Sequence, residues 1–336
     1  MIQSKLGRIL GVVLLLAGLM VLSACVGSYP LSPEDIWRIL LGQGGDTMEA
    51  RVFWQLRLPR VLMGVAAGAV MSLSGSVYQT IFRNPLASPD LTGVASGASL
   101  GAAGAIVLGT GGAMQLMLGA FIAGMLSVVL VLFLVRFSRF RQMSSYILAG
   151  IVVSSVADAG LMCLKVMADP ERELAAIEFW TMGSLGAITA GKLFPNLLVM
   201  AVPFVLLLLF HRQAVMLSLG DEQARSMGLN PSLWRGIFLV LSTLMIAGLV
   251  SVTGVISFVG LIGPHIAFWI RRRRDRGYFL LSSALGAVLV LTADMLARSL
   301  WKGAELPLSI FTVFLAVPIL ILLLRGRKGD FHGTAA

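Results

Sequence analysis

Few side chains of this 336-residue chain could do chemistry inside its long apolar stretches. Asp158 and Asp294 are the two acids that fall there, and an unpaired carboxylate in hydrocarbon is costly enough that it normally faces protein or a water-filled cavity. Asp294 has Arg298 four residues on, within reach as an internal helix pair. Asp158 has no such neighbour, because Lys165 lies roughly 10 Å further along a helix. His265, one of 3 histidines, stands beside Gly263 and Pro264 with no His, Cys or carboxylate close in sequence, so packing or hydrogen bonding suits it better than metal ligation. Cys25 and Cys163 supply neither a disulfide framework nor a Cys-rich metal site. The string from Gly186 to Leu193 nearly matches a phosphate-binding loop. It fails because Leu193 occupies the magnesium-binding Ser/Thr position and no strand precedes it. No catalytic set and no metal site emerges.

The elements that must position these residues follow from composition. Hydrophobic residues make up 57% and charged ones 12%, with a mean hydropathy of +0.91, whereas a soluble domain carries about 25% charge. A soluble enzyme is excluded. The surplus of 26 Lys+Arg over 16 Asp+Glu points to a polytopic helical membrane protein with its basic residues on one side, and away from nucleic acid. Crossing a bilayer takes about 20 apolar residues. Ten candidate spans result, at 9–27, 60–81, 92–109, 114–135, 145–166, 193–210, 236–253, 256–270, 278–300 and 307–324. The eighth is short and interrupted at Gly263-Pro264, which suggests a broken helix facing a cavity. With the N-terminus inside, the inner segments hold most of the basic residues, among them Arg136, Arg139, Arg141, the run Arg271 to Arg274, Arg327 and Lys328. An all-α protein with both termini cytoplasmic is the expectation. Lys5, Arg8 and the following apolar run up to Cys25 also resemble a lipoprotein signal peptide, but removing it would reverse the parity that the charges support.

Only 28–59 and 167–192 outside, and 211–235 and 271–277 inside, are long enough to act beyond the membrane. None houses a nucleotide-hydrolysing domain. Within the third, Asp221 and Glu222 fall in the first turn of a short helix, where acids suit the macrodipole, and Gly228 sits where a left-handed C-terminal residue belongs. The stretch reads either as a docking knob or as an ordinary amphipathic connector. Glycine pairs at Gly64/Gly68 and Gly93/Gly97/Gly101 put small residues on one helix face for close packing.

The string Gly220-Asp221-Glu222-x-Ala224-Arg225-x-x-Gly228 resembles the coupling loop of the permeases of ABC importers for iron-siderophores, haem and vitamin B12. Further passages are similar to that family in the expected order: Leu56 to Arg60, Phe82 to Pro89 with Asn84 and Pro85, Gly254 to His265 with Gly260, Gly263 and Pro264, Ala293 to Arg298 with Asp294, and Glu305 to Pro307. The resemblance implies one permease domain over 1–336 in a prokaryotic cytoplasmic membrane. It would pair with an identical copy or a paralogue around a translocation path. Two cytosolic ATPase subunits would carry the ATP and magnesium, with no cofactor in this chain, and an extracytoplasmic binding protein would deliver substrate.

The resemblance also implies roles for single residues. Arg57, Arg60 and Arg298, basic residues on the outer side, would meet acids on the binding protein, since a guanidinium forks onto a carboxylate; snorkelling to headgroups is the other reading. Ser144 and Ser145 fall near the inner gate, where small residues allow close approach, although Ser is also a common helix N-cap. Trp180 belongs either to a short helix dipping into the outer vestibule or to the interfacial aromatic belt. Asp158 faces the path or packs through hydrogen bonds, and the arginine run is an inner anchor with anionic lipid or the ATPase as further contacts. A secondary transporter driven by an ion gradient fits the composition equally well but leaves the loop at 219–231 and the outer arginines without a role. An intramembrane enzyme lacks a credible set of residues.

Overall fold

The structure is a computed structural model that describes residues 2–27, 29–109, 112–138, 143–300 and 305–325. Arg139, Arg141, Arg327 and Lys328 lie outside the described residues. Among those described there is no strand. The helices, in chain order, are α1 (Ile2–Cys25), α2 (Pro33–Leu40), α3 (Met48–Val52), α4 (Leu58–Ile81), α5 (Val94–Val107), α6 (Ala113–Phe137), α7 (Met143–Met167) and α8 (Glu173–Thr181). They continue as α9 (Ala190–Leu209), α10 (His211–Ser218), α11 (Asp221–Ser226), α12 (Pro231–Thr253), α13 (Val259–Arg271), α14 (Arg276–Ser299) and α15 (Leu308–Arg325).

Each of the ten sequence spans overlaps one helix. Among the described residues, six apolar helical runs are long enough to cross a membrane: Met48–Ile81, which contains α4, and α6, α7, α9, α12 and α14. The apolar part of α1 (Ile9–Cys25), α5 and the Leu308–Leu322 part of α15 are shorter. The span placed at 256–270 is the clearest departure. Its helix begins only at Val259, after an irregular stretch with Gly254 and Phe258 at positive φ, and its 13 residues cover roughly 20 Å.

Burial separates centre from periphery. The apolar windows of α4, α12 and α14 are 78%, 67% and 61% buried, whereas those of α6, α7 and α9 reach only 22–33%. The three central helices share one core that includes Met63, Leu73, Tyr78, Phe238, Met245 and Val290.

Glycine lets α4 approach its neighbours backbone to backbone. A Cβ on Gly68 would stand 2.1 Å from the Gly286 carbonyl oxygen, and one on Gly286 would stand 2.1 Å from that of Gly68. One turn pair further along, a Cβ on Gly75 would fall 1.7 Å from the Gly260 oxygen. Pro264, inside α13, cannot donate to the carbonyl four residues back, which is that of Gly260. The freed carbonyl is therefore seated against Gly75, which accounts for Gly260 and Pro264 together. Gly97 and Gly101 serve α6 in the same way, against Ala123 and Gly119, but Gly93 instead meets Ser154 of α7 from the N-cap of α5.

At the basic end, Arg271 and Arg273 both reach Asp275 at 2.6 Å, and Arg274 stands over the Phe268 ring at 5.4 Å. Gly75→Val is expected to abolish folded protein, since it forces α4 off α13, whereas Gly236→Ala, whose new methyl would meet no heavy atom within 4 Å, should be neutral or stabilising by about 1 kcal/mol. Thermal unfolding of the two variants in detergent measures the contrast.

Candidate functional site

Two constellations lie at opposite ends of the bundle. At the basic end, α10, α11 and the start of α12 form one compact element. Asn230 caps α12 by accepting from the Leu233 amide at 3.2 Å, with Pro231 at the first helical position. At the end of α11 the amide of Gly228 (φ 82°) donates to Arg225 O and that of Leu229 to Ala224 O, both at 2.9 Å. This is the complete paired closure that a left-handed residue permits.

What fixes the element to the bundle is Arg235, 2% exposed and one turn into α12. Its Nη1 and Nη2 donate to the two carboxylate oxygens of Asp221 at 2.9 and 2.5 Å. The Arg235 hydrogen bonds hold the Asp221 carboxyl below the usual carboxylate range, with Arg83 and Arg225 acting in the same direction. Ala224 and Leu229 are buried beneath, whereas Glu222, Arg225 and Gly228 are exposed. The guanidinium of Arg83 lies beside Gly220, so the turn that holds Asn84 and Pro85 adjoins the same element. In that turn Asn84 Oδ1 accepts from the Leu86 amide at 2.9 Å.

At the opposite end the sequence-predicted arginines converge. Pro59 at the start of α4 is preceded by a π-helical turn, Phe53–Arg57, which makes one continuous helix of Met48–Ile81. Arg60 donates from Nε and Nη2 to Asp294 at 2.9–3.2 Å and from Nη1 to Glu305 at 2.6 Å. Arg298 pairs with Asp294 at 3.3 Å and donates at 2.6 Å to the carbonyls of Ser23 and Val26, tying down the end of α1. Both guanidinium groups are thus engaged within the chain. Arg57 is as buried as these two, at 8% exposed, but differs in its partners: it donates only to the Tyr29 carbonyl at 3.2 Å and has no carboxylate partner among the described residues.

Trp180, in the last turn of α8, lines a cavity of about 1030 Å³ with Phe179, Asp169, Glu173, Thr253 and Glu305. Ser144 is exposed in the first turn of α7, and Ser145 meets Ser138 at 3.2 Å, so both lie past the N-cap position. Asp158 is half-buried in α7 and makes no hydrogen bond or ion pair with described residues; Lys165 pairs instead with Glu178 at 2.7 Å. His265 Nδ1 lies 2.8 Å from Leu261 O and 3.4 Å from Gln79, which also donates to that carbonyl, linking α13 to α4. No three His, Cys, Asp or Glu side chains gather as a metal site among the described residues. Arg235 and Glu305 carry more of this geometry than sequence reasoning gave them. The signal for Arg235 was its lone charge at the head of an apolar helix, opposite the acids of α11.

A family model, described as the FecCD transport family, matches residues 14–326. The chain belongs to this family. It is 36% identical over 329 residues to the hemin transport system permease protein HmuU of Yersinia pestis, covering 95% of this chain and 96% of that protein. To the molybdate import system permease protein MolB of Haemophilus influenzae it is 33% identical over 332 residues, covering 96% of each. A solved structure described as an inward-facing conformation of a metal-chelate type ABC transporter matches with a TM-score of 0.83 at 31% identity, over 95% of this chain and 99% of that one. Family members thus range from haem to an oxyanion, a wider cargo than the iron chelates, haem and corrinoids expected from the motifs.

Asp221→Ala is expected to free the element, costing about 1–3 kcal/mol because it strands a buried guanidinium beside a partly exposed partner. Since the Asp221 carboxyl is held low, its contribution is present above its unfolded value near pH 4 and is lost as pH falls through the depressed folded value. Amide protection factors over 219–231, that is exchange rates corrected for the intrinsic pH dependence of exchange, should therefore be unchanged from pH 8 to 5 in the native protein and already low at pH 7 in the variant.

Proposed function

We propose that the chain is the transmembrane permease subunit of an ATP-driven ABC importer in the cytoplasmic membrane of a prokaryote. All ten candidate spans cross, with both termini cytoplasmic. It works with a second copy or a paralogue, two cytosolic ATPase subunits carrying the ATP and magnesium, and an extracytoplasmic binding protein. The permease performs no bond chemistry.

The observation that carries this reading is the element at 211–235. Its underside is pinned to α12 through Asp221 and Arg235, while Glu222, Arg225 and the rim at Gly228 stand outward. A push on that surface is delivered to a helix whose apolar length is two-thirds buried, so closure of the ATPase pair tilts α12 and its neighbours as rigid bodies and access alternates. The relatives and the solved structure that the chain resembles support the assignment.

At the other end the three arginines divide the work. Arg60 and Arg298 hold α1, α4 and α14 together, and Arg57, the one without a carboxylate among the described residues, takes an acid from the binding protein. Ser144, Ser145 and Trp180 border the path.

Two experiments test the reading. Co-expression with its cognate ATPase subunit should give a stable complex, and Arg225→Glu should weaken it while the permease still folds; undiminished association would count against the handle. Arg57→Gln should weaken binding-protein association about tenfold, the loss of one charge-assisted hydrogen bond, and leave ATPase association unchanged. Equal loss of both interactions would contradict the division of roles.

A further inference from the structure

The turn that joins α13 to α14 holds Arg271, Arg272, Arg273, Arg274 and Arg276 against one acid, Asp275, a surplus of four positive charges within six residues. Asp275 is already committed. It caps α14 by accepting from the Tyr278 amide at 2.9 Å and takes Arg271 and Arg273 at 2.6 Å each. Arg274 and Arg276 have no carboxylate partner among the described residues. No other acid is at hand, because α1, α4, α9, α10 and α15, the helices packed on α13 or α14, contain none, and Asp294 sits at the opposite end of α14. Helix electrostatics do not account for the surplus either. Arg271 suits the C-terminus of α13, but the exposed Arg276 opens α14, where the macrodipole disfavours a cation.

Apolar side chains border these arginines on both helices. Trp269, in the last turn of α13, is 61% exposed, and Phe268 beside it carries the Arg274 guanidinium over its ring at 5.4 Å. Leu280, one turn after Arg276 on the same face of α14, is 45% exposed. A surface that met only water or a soluble partner would gain nothing from a bare indole and a bare leucine there. Apolar groups toward the bilayer with guanidinium groups beyond them match the order in which a phospholipid presents acyl chain and phosphate, and Trp favours that boundary. A guanidinium also fits a phosphate through paired donors.

We infer that the α13–α14 turn binds an anionic phospholipid, whose phosphate Arg274 and Arg276 hold and whose acyl chains lie against Trp269 and Leu280. A surplus of positive charge at a leaflet surface attracts such a lipid from a distance, and the exposed apolar side chains then favour it over a free anion. The inference needs only that this end of the bundle meets a membrane surface, so it stands apart from the importer reading.

The test titrates the full-length chain in detergent with phosphatidylglycerol and, separately, with phosphatidylcholine of the same acyl chains, and counts bound lipid by native mass spectrometry. Phosphatidylglycerol should bind more tightly. Arg274→Gln combined with Arg276→Gln should lower its affinity about tenfold and leave phosphatidylcholine binding unchanged. Should the double variant not fold, Arg276→Gln, at an exposed position, should show a smaller loss in the same direction. Phosphatidylglycerol brominated in its acyl chains should quench Trp269, read as the difference between the native chain and Trp269→Phe. Equal affinity for the two lipids, an affinity that the variants leave unchanged, or no such difference in quenching overturns the inference. Displacement of the lipid by inorganic phosphate at equal concentration would assign the arginines to a free anion, and lost ATPase association with unaltered lipid affinity would assign them to the ATPase; either result also overturns it.

Discussion

Arg235 is almost fully buried at the head of α12, and a guanidinium there is tolerable only because Asp221 accepts two hydrogen bonds from it. The other features of the basic end depend on that pair. It sets where α11 begins, it leaves Ala224 and Leu229 as the buried underside, and it turns the remaining polar side chains outward. An amphipathic connector without such a tether would move independently of the membrane helices. This one cannot, and a rigid link between an exposed surface and a central helix is what transmission of force requires.

The long central helix joins that end to the other. Seated on α13 and α14 through glycine contacts that admit no side chain, α4 carries Arg57 and Arg60 at one terminus and leads into the Asn84 turn beside the element at 211–235 at the other. At the far end Arg60 bridges Asp294 and Glu305, whose side chains are 2% and 41% exposed. The ion pairs there join α4, α14 and the stretch before α15, and hydrogen bonds from Arg298 add the end of α1, so this end of the bundle is a single framework in which Arg57, without a carboxylate partner among the described residues, is the exception.

Much of this was legible in the sequence, because hydropathy and turn chemistry act locally. Ten apolar runs each overlap a helix, and Gly228 adopts the left-handed conformation its place demanded. The Asp294–Arg298 pair is an i,i+4 contact of the kind periodicity reveals. What escaped is long-range or non-additive. Arg60 and Glu305 are 245 residues apart, so no spacing rule joins them, and exposure at an outer helix end was the natural expectation for a basic residue there. The π-helical turn before Pro59 depends on where a proline's missing donor can be absorbed, and the late start of α13 on the positive φ of Gly254 and Phe258, neither of which hydropathy reports. Close helix approach was readable at Gly68 but not at Gly75, since its partner is a carbonyl freed by Pro264 on another helix.

The central claim is that the Asp221–Arg235 pair makes the element at 211–235 and α12 one body, so that the proposed ATPase contact moves both. The most direct measurement is the number of cargo molecules imported per ATP hydrolysed by the reconstituted transporter, for Asp221→Arg, Arg235→Asp and the two combined. The account predicts that each single variant still binds the ATPase yet hydrolyses ATP with little import, and that the swapped pair recovers a substantial part of the native ratio. A native ratio in either single variant would contradict it.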